Sequence, residues 1–150
     1  MPLTDRELVI RLVLAAALGG IIGAERELRQ KSAGFRTNIL IAIGSALFTI
    51  ASLTLSSNAD PTRIAAQIVT GIGFLGAGAI MRTHSGVHGL TTAATVWVNA
   101  ALGIAAGGGL YRVAVLGGTI TIAVLLILGP VERAIERHTR PAESSPTRRP

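Results

Sequence analysis

Five long apolar blocks, each of roughly 17–20 residues and almost free of charge, fill most of this 150-residue chain. Blocks of that length match what a helix needs to cross the roughly 30 Å hydrocarbon layer of a bilayer, whereas helices in soluble cores are usually shorter. Hydrophobic residues make up 49% and charged residues 15%, more apolar surface than a small soluble domain can hide. In lipid the outward faces can stay apolar, so no large dry core is required. The sequence therefore predicts an all-α, polytopic transmembrane bundle of about five spanning helices, with the lipid bilayer as its first partner.

The spans read as residues 8–24, 38–55, 62–81, 90–106 and 110–128. Arg11, near the start of the first, is expected to snorkel towards the interface. The opening Asp5-Arg6-Glu7 is not the basic region of a signal peptide, and the block runs on past Ala15-Ala16-Ala17 to Ala24, so a retained helix is expected. Asp60 and Pro61 suit a helix start, as a cap and a first helical residue. Residues 84–89, with His84 and His88, form a polar loop, and Gly107-Gly108-Gly109 ends the fourth helix. Residues 1–130 then form a transmembrane domain and 131–150 a basic tail, disordered near its end, where Pro141, Pro146 and Pro150 lie among Ser, Thr and Arg.

Five spans put the termini on opposite sides. One side then carries ten of the 14 Lys and Arg residues, namely Arg26, Arg29, Lys31, Arg36, Arg82, Arg133, Arg137, Arg140, Arg148 and Arg149, and the other carries Arg6, Arg11, Arg63 and Arg112. The positive-inside rule predicts an outside N-terminus and a cytoplasmic C-terminus. Arg133, Arg137 and Arg140, with Glu136, suit a short helix lying on anionic headgroups, or simply a topology anchor.

The net charge of +6 would suggest nucleic acid on a soluble domain, but the basic residues flank apolar blocks and lack the interleaved aromatics that stack on bases, with Phe 3, Trp 1 and Tyr 1 in all. Nucleic acid is not an expected partner. The absence of cysteine removes disulfides, thiolate metal sites and thiol catalysis together. Gly71-Ile72-Gly73-Phe74-Leu75-Gly76 matches a dinucleotide fingerprint in letters alone, because it lies inside an apolar block and residues 90–96 supply no carboxylate for a ribose. No cofactor is expected.

A mechanical role suits the glycines better. Gly19 and Gly23, Ala42 and Ala46, Gly73 and Ala77, and Gly103 and Gly107 stand four apart, which places small residues on one face of four helices and predicts close packing within the chain or between copies. Gly71, Gly73, Gly76 and Gly78 point several ways, so helix three is expected to sit centrally. A rival reading has these glycines break the helix and expose carbonyls to an ion.

Polar residues at membrane depth form the other informative set. Thr91, Thr95 and Asn99 make one stripe on helix four, suited to interhelical hydrogen bonds, and Gln67 on helix three is a candidate partner for Asn99. Ionisable groups sit at helix ends: Glu25, Arg26, Arg36, Asp60, Arg63 and Arg82. Glu25 with Arg26 or Arg36 reads as a loop-ordering ion pair. Glu25 or Asp60 is a weak Mg²⁺ candidate, but the topology places them on opposite faces. No catalytic set, metal cluster or phosphate loop is evident, and His84 and His88 read as solvated, so a non-enzymatic role is expected.

Gly23-Ala24-Glu25-Arg26, Gly34-Phe35-Arg36-Thr37, Asp60-Pro61-Thr62-Arg63, the run from Gly71 to Gly78, and Gly89-Leu90-Thr91-Thr92-Ala93-Ala94 followed by Trp97 occur in an order that resembles the MgtC/SapB family of bacterial membrane proteins. The resemblance spans residues 8–112. It implies a multi-pass plasma-membrane protein, with family links to magnesium limitation and homeostasis, to virulence inside host cells and to inhibition of the proton-driven ATP synthase. Glu25, Arg26, Arg36, Asp60, Arg63, Gly76, Thr91 and Thr92 are carried over as important by motif position. Longer members append a soluble cytoplasmic domain, and this chain reads as a short form without it. The resulting expectation is a regulator of other membrane proteins, itself a homo-oligomer. The alternative is a small oligomeric channel or carrier for Mg²⁺ or protons that uses Asn99, Gln67 and the helix-end carboxylates.

Overall fold

The computed structural model describes residues 3–55, 60, 62–84 and 86–139, with residues 62 and 132–139 as backbone alone. Five helices and one hairpin follow in order: α1 (Asp5–Leu28), α2 (Phe35–Leu55), α3 (Thr62–Gly78), β1 (Met81–Thr83), β2 (Gly86–His88), α4 (Leu90–Gly107) and α5 (Tyr111–Thr139). The chain is an all-α membrane helix bundle. Segments within α1, α2, α4 and α5 are long and apolar enough to cross a bilayer. At 17 residues, α3 lies at the short limit for a spanning helix.

Several boundaries move for local reasons. Helix α1 starts at Asp5, three residues before the apolar block, because the Thr4 hydroxyl accepts the Glu7 N–H at 3.3 Å and the acidic Asp5 and Glu7 favour the first turn. Helix α2 starts at Phe35 because Glu27 reaches across the loop and accepts the Phe35 N–H at 3.0 Å. Helix α3 stops at Gly78, so Met81 is not helical as the sequence predicts. Residues expected in a plain loop instead pair as an antiparallel hairpin, with Met81 opposite His88 and Arg82 opposite Val87. Gly89 closes it at φ 88°, where a Cβ would lie 3.0 Å from the Ala79 carbonyl carbon. Helix α5 runs on through Pro130, where the sequence predicts a stop; a membrane helix tolerates the missing N–H when neighbours cover the freed carbonyl. Pro61, expected as the first helical residue, and the end of the tail, expected to be disordered, lie outside the described residues.

The packing contacts alternate the helix directions. Gly19 and Gly23 of α1 lie against Asn38 and Phe35 of α2 in reverse order, whereas Gly103 and Gly107 of α4 follow Ala42 and Ala46 of α2 in the same order. Gly76 of α3 meets Ala93 of α4, antiparallel. One end of the bundle, the hairpin end, therefore gathers Glu25, Arg36, the β-hairpin and Leu90. The opposite end gathers Thr4, Asp60, Gly107 and Tyr111.

Helix α4 is central, with Val96, Asn99, Ala100, Leu102, Gly103 and Ala106 among its buried residues. One apolar cluster joins Ala15, Leu18 and Ile22 of α1 to Ala42, Ala46, Leu102, Ala106, Ala114 and Leu125. A smaller one joins Ile41, Ile72, Val96 and Ala100. Helix α3, predicted to be the central helix, is peripheral. Gly71, Gly73 and Gly78, predicted as packing glycines, are exposed with nothing within 4 Å of where a Cβ would stand, and of that run Gly76 alone packs.

Candidate functional site

A helix carries a carboxylate into a membrane interior only if cations or hydrogen-bond donors go with it. Glu25, in the last turn of α1, is 6% exposed, and the adjacent Arg26 is 3% exposed. Arg26 Nε donates to Glu25 Oε2 at 2.5 Å. Arg29, one turn on, places its Nε 2.5 Å from Oε1, an ionic contact without an aligned hydrogen bond. The anticipated Glu25–Arg26 pair is thus the buried part of a triad, completed by the half-buried Arg29, with one surplus positive charge. Arg36 lies outside it and is exposed. Arg29 also packs against Gly129, which ties α1 to α5.

Below the triad a second polar chain links the loop to the bundle centre. Asn38 is 0% exposed at the start of α2, and its Nδ2 donates to the carbonyls of Ala33 at 2.7 Å and Gly34 at 2.8 Å. Its Oδ1 accepts from Asn99 Nδ2 at 2.5 Å, which leaves the fully buried Asn99 Oδ1 without a partner. Asn99 therefore pairs with Asn38 and not with Gln67, which is exposed on the side of the peripheral α3 towards α2. Thr95 donates to its own helix at the Thr91 carbonyl, 2.7 Å away, so this stripe crosses between helices only through Asn99. Thr92 is buried and Thr91 exposed.

Replacing Asn38 by leucine strands the Ala33 and Gly34 carbonyls and the Asn99 amide together. The expected loss is about 1–3 kcal/mol, with part recovered in an Asn38→Leu/Asn99→Leu double variant. A double-mutant cycle of unfolding in mixed micelles checks it; strictly additive losses would contradict the coupling.

The opposite end holds Asp60 and Arg63, both exposed, and the Asp60 carbonyl accepts the Arg63 N–H at 3.2 Å. Glu25 and Asp60 thus sit at opposite ends of the bundle. Glu25 fits Mg²⁺ poorly, because guanidinium groups face both its oxygens. Among the described residues no three or more His, Asp or Glu side chains gather where they could hold a metal ion. Arg11, expected to snorkel, is instead 7% exposed and donates to the Gly107 carbonyl at 2.6 Å and to Glu7. It thereby satisfies a free carbonyl at the C-terminus of α4, where a cation is favoured. His84 and His88 are exposed on the hairpin.

Sequence reasoning passed over Asn38 and Arg29. A signal for Asn38 was present: it is the one amide in the second apolar block, four residues before Ala42 on the small-residue face.

These features define a membrane helix bundle with a buried ion-pair and amide network running in from its hairpin end. The chain belongs to the MgtC family, whose family model matches residues 12–134. It is 50% identical over 127 residues to a protein of Escherichia coli K12 named "Putative magnesium transporter YhiD", an alignment covering 79% of this chain and 59% of that one. It is 48% identical over 122 residues to "Protein MgtC" of Brucella abortus strain 2308, covering 81% and 51% respectively. It is 45% identical over 136 residues to "Protein MgtC" of Salmonella paratyphi A, covering 91% and 58%. The chain thus spans a little over half the length of these relatives. No solved structure matches it significantly. With its apolar helices, these matches make the chain a membrane protein of a bacterial family.

Proposed function

We propose that this chain is a non-enzymatic, multi-pass protein of the bacterial plasma membrane that regulates other membrane proteins by docking one of their helices on the outer face of α3. The hairpin end faces the cytoplasm in this reading, on the positive-inside bias. The observation that carries the proposal is the fate of the small-residue faces. Gly19, Gly23, Gly103 and Gly107 are spent on contacts within the chain, whereas Ala66, Thr70, Gly73 and Ala77 form an exposed face with spacings of four, three and four. Such faces drive helix association in lipid, where apolar burial gives no drive of its own. The names of the relatives and the family links support a role in magnesium physiology. The membrane sector of the ATP synthase is the family-implied candidate partner, virulence the family-implied setting, and a second copy of this chain an alternative occupant.

Gentle solubilisation followed by co-purification tests the proposal. The expected result is a membrane-protein partner held by the native chain and lost with Gly73→Leu, whose side chain meets no neighbour inside the fold. Recovery of the chain alone, or equal capture by Gly73→Leu, would count against it.

A second reading, an ion carrier, draws on the unpartnered Asn99 Oδ1 inside the buried polar chain. Purified protein in liposomes that passes neither Mg²⁺ nor protons, with and without a potential, would dismiss it.

A further inference from the structure

Helices α2 and α3 meet through Ile41 and Ile72 but leave a cavity of about 560 Å³ beside that contact, walled by apolar side chains such as Leu40, Phe48 and Ile64. Glycines hollow out both walls: Gly44 and Gly71 line it and have nothing within 4 Å of a Cβ position. At Thr37 and Leu75 it joins a smaller cavity of about 210 Å³ beneath Ser32. At Ile64 and Gln67 it joins one of about 350 Å³ beside Asp60 and Arg63. Together they form a groove from one end of the bundle to the other.

Its apolar lining and its charge select the occupant. From Thr37 to Phe48 the helix rises about 17 Å, a length of apolar wall along which an acyl chain of the bilayer can lie. At the hairpin end Lys31 and Arg36 flank the hydroxyls of Ser32 and Thr37, and Arg82 is exposed on β1 at the same end of the bundle. None of these three cations pairs with a carboxylate among the described residues. Arg36 is one helical turn before Leu40 and so shares the groove face of α2.

We propose that the α2–α3 groove is a binding site for an anionic phospholipid of the surrounding bilayer, with an acyl chain lying between Gly44 and Gly71 and the headgroup phosphate held by Arg36 and Lys31. The groove face of α3 is distinct from the outer face that carries Gly73, so the two proposals stand or fall separately.

The test uses the full chain reconstituted in vesicles of equal parts phosphatidylethanolamine and phosphatidylglycerol, then purified in mild detergent, with retained lipid counted by native mass spectrometry. The native chain is expected to retain phosphatidylglycerol, enriched about thirtyfold over the vesicle ratio, as two basic residues near an anionic surface supply. Lys31→Gln/Arg36→Gln should return the ratio to that of the vesicle. Gly44→Leu/Gly71→Leu should lose the retained lipid altogether at an unchanged thermal midpoint. Should the leucine pair fail to fold, the charge variant decides alone. Retained lipid of bulk composition in the native chain, or full retention by a folded leucine pair, overturns the proposal. So does a dimer that the leucine pair dissociates, which would make a second copy the occupant.

Discussion

Replacing Glu25 by glutamine is expected to destabilise the bundle by about 3–5 kcal/mol, the cost of leaving a buried charge uncompensated. The side chains of Glu25 and Arg26 are 6% and 3% exposed, while that of Arg29 is 23% exposed. Glutamine keeps the shape and one hydrogen bond to Arg26 but leaves two guanidinium groups facing each other with little water between them. Arg26→Gln should cost less, because Glu25 keeps Arg29 as its counter-ion. Arg29→Gln should cost least, since that group reaches partial solvent and the Glu25–Arg26 pair survives it. Equilibrium unfolding in mixed micelles ranks the three. A loss from Arg29→Gln that equalled the loss from Glu25→Gln would mean that Arg29 acts through its packing on Gly129 and not through the ion pair.

The same triad shows how far the sequence could be read. That Glu25 and Arg26 belong together followed from a charged pair at the end of an apolar block. That Arg29 completes the group did not, because a helical i, i+4 neighbour after the apparent helix end requires α1 to continue to Leu28. The five-helix plan was legible, since length and low charge are properties of segments and need no tertiary information. Pairings between helices were not. Asn99 was visible as an amide needing a partner, but Gln67 and Asn38 each offered one, and only the helix arrangement decides between them. With α4 central and parallel to α2, the level of Asn99 falls at Asn38. With α3 peripheral, Gln67 turns to the groove. The hairpin was hidden because three-residue strands carry almost no periodicity.

Glycine density misled in an instructive way, and the remaining large effect follows from it. Gly103→Leu is expected to destabilise by about 3 kcal/mol or more, at the upper end of what overpacking usually costs. A Cβ at that position would stand 2.8 Å from Ser45 Cβ and 3.1 Å from the Ala42 carbonyl carbon, and backbone cannot swing aside as a side chain can. Helix α4 would have to withdraw from α2, and with it the Asn99–Asn38 hydrogen bond one turn away. Gly107→Leu meets the Ala46 Cα at 2.8 Å and should behave alike. Gly73→Leu, in the middle of the glycine-richest run, meets nothing and should change stability by no more than about 0.5 kcal/mol. Thermal unfolding in one detergent compares the three, and a Gly73→Leu loss as large as that of Gly103→Leu would contradict the peripheral placement of α3. The two sparse glycines on α4 thus hold α4 against α2, while Gly71, Gly73 and Gly78 of the crowded run on α3 are left free to meet whatever lies outside them.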